Sequence, residues 1–484
     1  MDKPSLKKNY IYSVAYQLLL VLTPIITTPH ITRAMDKNHL GIFSYTHSIA
    51  YNFYLVAMLG IANYGSRTIA SIRDNRQKLS KVFCSLSFMQ ISFGSLVTVV
   101  YCFFLIYEKS IQSENFIFSF VWILYVLSGC FDINWFYWGL EEFPTTVKKN
   151  IIIKVLTMLG IVFLVNSNED LFIYVLIMSG GLFLSSAILW VYVRNYIDIV
   201  KVSIRDAYTH FKSNLILFIP VVAVSIYTSM DKIMLGKMCN LEELGVYDNI
   251  QKIMTLPTGI ITALGTIMLP RITNLLSNND KEKVLDYIRA AMHFTFFLSV
   301  PLFLGIASIA PTFTEVYFGE GFKSSYPMME MFSITIPFIS WANVIRTQYL
   351  IPTKKDNVYI ISVVCGALLN IIINLLCIPR LKAKGAIIGT IGAEFTVALI
   401  QTMLVKKELP VSLFLKDGIG FFVPGSIMFL CVRLIYRAFG TSLKSLIIQI
   451  CGGALIYLLL SLLIFYNMQT PLSESIKSFL ERNK

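Results

Sequence analysis

Charge is what this sequence has least of. Only 14% of its 484 residues are Asp, Glu, Lys or Arg, while 56% are hydrophobic and the mean hydropathy is +0.67. Soluble domains carry about a quarter of their residues as charges, so a soluble fold is excluded and a multi-pass membrane protein is implied. Strict apolar/polar alternation is also missing, which excludes a transmembrane barrel and leaves helices. Catalytic motifs are absent as well. The sequence has no Gly-x-x-x-x-Gly-Lys-Ser/Thr loop, no His-Glu-x-x-His, no Gly-x-Ser-x-Gly and no Asp-x-Asp, so neither ATP hydrolysis nor glycosyl transfer has a visible site. The eight cysteines show no Cys-x-x-Cys spacing and sit mostly in apolar runs, which points to unpaired thiols with neither a metal nor a disulfide role. No low-complexity tract and no loop long enough for an extramembrane domain is present.

What is there is a succession of apolar runs, at about 10–32, 40–65, 82–107, 116–140, 147–166, 171–193, 213–236, 244–270, 286–310, 326–350, 357–378, 385–405, 417–437 and 444–467. Each is of the order of the ~20 residues needed to cross the hydrocarbon core, giving an all-α protein of about fourteen transmembrane helices. The net charge of +13 is spread over short loops and forms no nucleic-acid patch. With the N-terminus inside, 27 Lys and Arg fall on the cytoplasmic side and 10 on the opposite side. The positive-inside bias therefore places both termini in the cytoplasm. Lys3, Lys7 and Lys8 precede a first apolar run without an evident small-residue cleavage site, which reads as a retained helix.

The chain repeats itself. Leu40-Gly41-Ile42-Phe43 returns as Leu244-Gly245-Val246-Tyr247, an offset of 204 residues, and Arg33 then falls on Lys237, Ile49 on Ile253 and Arg67 on Arg271. The offset spans six helices, so the duplicated parts point the same way across the membrane. The expected organisation is a six-helix lobe over 1–195, a cytoplasmic connector over 196–212, a second six-helix lobe over 213–405, and two further helices with a tail over 406–484.

Charges inside the runs cost about 2.5–3.5 kcal/mol each at mid-bilayer and normally face protein or water. Asp231 and Lys232, with Asp248 and Lys252, lie at similar heights near the outer ends of their helices, and the duplication sets Ser44, His47 and Ser48 at the positions of Asp248, Gln251 and Lys252. One reading is a net-cationic cavity between lobes; the other is charge pairing, Asp231 with Lys252 for example, that fixes helix packing. Asp132 and Lys154 are level on neighbouring helices, which suits a salt bridge as well as a ligand contact. Arg33, Arg67 and Arg346 stand near helix ends, where snorkelling is the alternative. Glu394 lies near the midplane in a glycine-spaced segment, Gly385 to Gly392, and is either an ion-coupling carboxyl or a hydrogen-bonded packing residue. Prolines 24, 29, 220, 257, 301 and 337 lie inside runs and should bend them.

These features, with Asn63-Tyr64-Gly65-Ser66-Arg67, Asp231-Lys232-Ile233-Met234-Leu235-Gly236 and the two Leu-Gly repeats, resemble the bacterial oligosaccharide flippases (polysaccharide transporters of the Wzx type). Those belong to the multidrug/oligosaccharidyl-lipid/polysaccharide exporter superfamily. The resemblance covers the whole chain through motifs that are specific in combination. It implies a flippase that moves an undecaprenyl-diphosphate-linked oligosaccharide across the bacterial cytoplasmic membrane by alternating access, for capsule or O-antigen-like polysaccharide. A diphosphate needs shielded cations, for which Arg33, Arg67, Lys154, Lys232, Lys252 and Arg346 are the candidates. Asp231 and Asp248 would position them; His47, Asn52, Asn370 and Asn374 would supply polar contacts, and Trp135 a stacking face for sugar. Glu394 is the candidate for proton or sodium coupling, with no cofactor and no metal site expected. Partners would be the lipid-linked oligosaccharide, membrane lipids and polysaccharide polymerase machinery. A lipid II flippase, a multidrug/cation antiporter and, from another class, a membrane-embedded polymerase are the alternatives.

Overall fold

The computed structural model describes residue 19 and residues 22–111, 115–277 and 280–467. Lys3, Lys7 and Lys8 therefore lie outside the described residues. Among the described residues every regular element is helical, and ten helices are long and apolar enough to cross a membrane. The chain divides into two compact units, Met1–Gly245 and Val246–Lys484.

In the first unit, α1 (22–34) precedes α2 (Lys37–Met58), α3 (Ile61–Ile72) and α4 (Arg76–Ile111). The run at 40–65 is two helices, because Leu59 (φ 45°) and Gly60 (φ 73°) both take the left-handed conformation and end α2. Asp36 starts α2 by accepting from the His39 N–H at 2.9 Å, satisfying one of the donors a helix start leaves open. The run at 116–140 is three short helices, α5 (Phe116–Val121), α6 (Ile123–Phe131) and α7 (Asn134–Gly139). Then come α8 (Phe143–Leu164), α9 (Leu171–Ala187) and α10 (Ile204–Met238). A capping box of Ser203 and Asp206 starts α10. On the segment before it, Asp198 pairs with Arg76 at 2.9 Å, and that guanidinium holds the carboxyl below its usual range.

The helix α11 (Leu241–Ser277) begins in the first unit and continues into the second. Its start meets the start of α2 in a reciprocal fit. A Cβ on Gly41 would lie 1.8 Å from the Leu241 carbonyl oxygen, and one on Gly245 2.2 Å from the Lys37 carbonyl oxygen. Lys37 and Leu241, like Gly41 and Gly245, are 204 residues apart, so the duplicated glycines make the same backbone contact in both directions. All four residues belong to the first unit.

The second unit continues with α12 (Lys281–Phe313), α13 (Tyr326–Ser333), α14 (Thr335–Ile345), α15 (Asp356–Leu381), α16 (Ala383–Val405), α17 (Val411–Ile419), α18 (Phe422–Phe439) and α19 (Leu443–Asn467). The glycines of α16 bring it against α15: a Cβ on Gly385 would lie 2.6 Å from the Cys377 backbone, and one on Gly389 2.0 Å from Asn374 Oδ1. Such close backbone approach is what small residues permit in membranes. The last helices dock on α12 through polar contacts as well as apolar ones. The Tyr457 hydroxyl donates to the Phe297 carbonyl at 2.8 Å, Gln449 Nε2 to Thr312 Oγ1 at 2.9 Å, and Arg289 pairs with Asp417 at 2.6 Å. Arg433 reaches both Glu330 of α13 and the Ala307 carbonyl. All eight thiols are free; Cys130 is buried and Cys451 exposed.

Candidate functional site

The first unit holds a helix break inside an apolar segment. Asp132 has extended backbone (ψ 99°) and separates α6 from α7, which frees carbonyls that hydrocarbon cannot satisfy. Gln90 of α4 supplies the missing donors: its Nε2 donates to the carbonyls of Gly129 at 2.7 Å and Asp132 at 2.9 Å. Trp190 Nε1 donates to the Phe131 carbonyl at 2.8 Å. Trp135, expected as a stacking face for sugar, is instead 1% exposed and donates its Nε1 to Gln90 Oε1 at 3.1 Å. Its ring is spent on packing and its N–H on holding the amide that closes the break.

Asp132 does not take Lys154 as its partner. Its Oδ2 accepts from the Tyr54 hydroxyl at 3.1 Å and its Oδ1 from Asn134 N at 3.0 Å and Nδ2 at 2.7 Å. The helix break explains the difference, because the Asp132 carboxylate is taken up by Tyr54 and by Asn134 at the start of α7. Lys154 is half-buried on α8, one turn beyond Asn150, whose Oδ1 accepts from Ser185 at 2.6 Å. Among the described residues no carboxylate lies within ion-pair distance of Lys154.

The other candidates in this unit spread over several helices. Arg33 is exposed at the end of α1 and donates to the Pro29 carbonyl at 2.8 Å; Arg67 is exposed on α3. His47 lies in an aromatic column on α2, its ring 4.8 Å from Trp122 and 5.6 Å from Tyr125. Asn52, on the same helix, donates to the Ser48 carbonyl at 2.8 Å and accepts from Ser229 Oγ at 3.0 Å. It also rims a recess of about 320 Å³ whose other walls are Phe53, Val56, Phe93, Leu96, Val97 and Val100. That lining suits hydrocarbon and not a charged head group. On α10, Asp231 is fully buried and Lys232 half-buried.

In the second unit Lys252 is held by Asp248, one turn earlier on α11, at 2.7 Å; Asp248 is 2% exposed. Asn370 and Asn374 are both fully buried on α15, and Asn374 Nδ2 donates to Asn370 Oδ1 at 3.2 Å. Arg346 begins a π-helical turn, Arg346–Leu350, after α14. It donates from Nη2 to Asn343 Oδ1 at 2.8 Å, and its guanidinium lies over the Tyr359 ring at 5.4 Å. Glu394 is buried on α16, and among the described residues it forms no ion pair with Arg346.

Gln90, Asn343, Tyr359, Gln401 and the Arg433–Glu330 pair were not among the candidates. A signal for Gln90 and Gln401 was available: each is an amide inside a long apolar run, and amides there need partners as charges do. Glu330 had the same signal, at the start of the run at 326–350. Asn343 and Tyr359 lie near run ends, where polar residues are ordinary, and carried none.

A helical bundle of this kind, with ten helices long and apolar enough to cross a membrane among the described residues, has the fold of multi-pass membrane proteins whose structures are known. The structure matches lipid II flippase MurJ in its inward closed conformation with a TM-score of 0.71 at 17% identity, covering 95% of this chain and 98% of that one. It matches an inward-facing multidrug resistance MATE family transporter of the MOP superfamily with a TM-score of 0.61 at 13% identity, covering 83% and 96%. Residues 6–276, more than half of the chain, match the polysaccharide biosynthesis protein family, and the chain belongs to that family. Among curated proteins it is 21% identical over 408 residues to a protein assigned as an O-antigen transporter in Shigella dysenteriae, covering 83% of this chain and all of that protein. A protein with the same assignment in Escherichia coli K12 is 22% identical over 418 residues, covering 84% of this chain and 98% of that protein.

Proposed function

We propose that this protein flips an undecaprenyl-diphosphate-linked oligosaccharide repeat unit across the bacterial cytoplasmic membrane by alternating access, supplying cell-surface polysaccharide synthesis. The observation that carries this reading is the set of basic residues on its helices. Arg33, Arg67, Lys154, Lys232, Lys252 and Arg346 include three, Arg67, Lys154 and Arg346, with no carboxylate within ion-pair distance among the described residues. An unneutralised cation in a membrane helix is costly unless an anion meets it, and a diphosphate supplies two negative groups with geometry suited to guanidinium and ammonium donors. Asp248 positions Lys252 through the contact at 2.7 Å, and the oligosaccharide is met by amides and hydroxyls. Substrate binding shifts inward and outward populations through its differential affinity for the two states. Both termini lie in the cytoplasm in this reading.

The relatives assigned as O-antigen transporters support a saccharide cargo. A second reading, transport of lipid II, is favoured by the likeness to MurJ and by 22% identity over 198 residues to the Bacillus subtilis protein of that name, covering 40% of this chain. Deleting the gene and extracting lipids separates the two. Undecaprenyl-linked repeat units accumulating on the cytoplasmic face support the first reading; accumulation of lipid II with normal surface polysaccharide overturns it.

A further inference from the structure

Near the end of α4, within the first unit, a carboxyl is buried with nothing to bond. Glu108 is 6% exposed, and among the described residues neither of its oxygens has a hydrogen-bond partner. It shares one face of α4 with the buried side chains of Leu105 and Tyr101, three and seven residues earlier. That face meets α5, where the Tyr101 hydroxyl donates to the Ser119 carbonyl at 2.6 Å. Ser119 is fully buried too, and its own hydroxyl, which faces the Glu108 carboxyl, has no partner with hydrogen-bond geometry. A carboxylate buried ionised, without hydrogen bonds or a counter-charge, is among the costliest arrangements in an interior, and such a group is neutralised instead. A metal cation or a proton could do it. Hard divalent cations take about six to eight oxygens, whereas Glu108 and Ser119 leave three open; a proton needs one oxygen and no cavity.

We propose, resting on the flippase reading above, that Glu108 is a proton-binding site: the packing of α2, α5 and α10 around this end of α4 holds the carboxyl as a neutral acid, and a conformation that opens it to water releases the proton. The proton comes from water and bonds one carboxyl oxygen, and no other bond forms or breaks. The acid then has a hydroxyl to give to the Ser119 oxygen. With both termini in the cytoplasm, this end of α4 lies on the outer face. External acidity therefore favours the closed arrangement, through the proton's differential affinity for the two states.

The titratable groups that face Glu108 from the packed elements leave its charge unmatched. Tyr45 of α2, whose ring lies against Gly236 of α10, and Tyr101 of α4 are phenols. Lys237 of α10 is the cation on that side; it is exposed and forms no ion pair with Glu108 among the described residues. Lys109, the next residue along α4, places its ammonium 5.3 Å from the centre of the Phe116 ring.

Two measurements on the purified full-length protein test this. In infrared spectra at neutral pH, the wild type should show the carbonyl stretch of a protonated carboxylic acid that Glu108→Gln lacks, other buried acids being common to both. In thermal unfolding, the wild type measured against Glu108→Gln should lose stability as pH rises above the ~4.3 of an ordinary glutamate. The loss should approach about tenfold in the folding equilibrium per pH unit, because the folded chain keeps a proton that the unfolded chain gives up. No infrared difference, or an unfolding difference that is flat or moves in the wild type's favour as pH rises, means an ionised carboxylate and overturns the proposal. So does stabilisation by sodium chloride over choline chloride that Glu108→Gln loses, which would make this a metal-cation site. Neither measurement involves flipping, so a flippase reading that failed in cells would leave the proton site standing, and the converse also holds.

Discussion

Replacing Gly41 with alanine is the sharpest perturbation available from the packing. The new Cβ would stand 1.8 Å from the Leu241 carbonyl oxygen, whereas ordinary contact begins at 3.4 Å, so the starts of α2 and α11 must part by about 1.6 Å. Gly245→Ala demands a similar move, from 2.2 Å to 3.4 Å against Lys37. Overpacking of this kind costs about 1–3 kcal/mol, partly offset by the helix propensity alanine gains over glycine, up to ~1 kcal/mol. A net loss of about 1–2 kcal/mol is expected for each variant. One separation relieves both clashes, so the double variant should lose clearly less than the sum of the singles. Gly180 is the control: it sits inside α9, where an added Cβ would meet nothing within 4 Å, and Gly180→Ala should be neutral or stabilising. Thermal unfolding of the purified proteins in one detergent reads all four. If Gly41→Ala and Gly245→Ala unfold like Gly180→Ala, or if their effects simply add, the reciprocal contact is not what joins these helix ends.

Gln90→Leu should be among the more damaging single changes in the first unit. It orphans the Gly129 and Asp132 carbonyls and the Trp135 N–H together, at about 1–3 kcal/mol for each group left buried, and a melting temperature equal to wild type would refute the capping role. Lys232→Ala and Lys252→Ala should each abolish export of surface polysaccharide while membrane abundance, followed by immunoblot, stays at the wild-type level. Normal export in both variants would remove these lysines from the head-group site.

Much of the fold could be read in the residues because hydrocarbon makes a simple demand. Long apolar runs show where helices lie, and the Leu-Gly motif that returns after 204 residues marks the two glycines that meet reciprocally at the starts of α2 and α11. Of the two breaks, the one after α2 has Gly60 as its trace, and the one at Asp132 has none. Neither Leu59 nor Asp132 is a proline, and the break at Asp132 exists because Gln90, 42 residues earlier, and Trp190, 58 residues later, satisfy the carbonyls it frees. No local pattern carries that information. The sequence suggests Asp231 as an example of a partner for Lys252, whereas the structure holds Lys252 against Asp248, one helical turn earlier on the same helix. Trp135 shows the opposite error, a residue type suited to sugar that tertiary packing claims for the core.

Reconstitution in liposomes observes movement of a lipid-linked oligosaccharide without the rest of the cell. Purified protein in liposomes containing undecaprenyl-diphosphate oligosaccharide in one leaflet should bring the glycan to the opposite face, where an added lectin or glycosidase reaches it, and Lys252→Ala should not. Glycan exposure no faster than in protein-free liposomes, alongside movement of lipid II under the same conditions, would contradict the account.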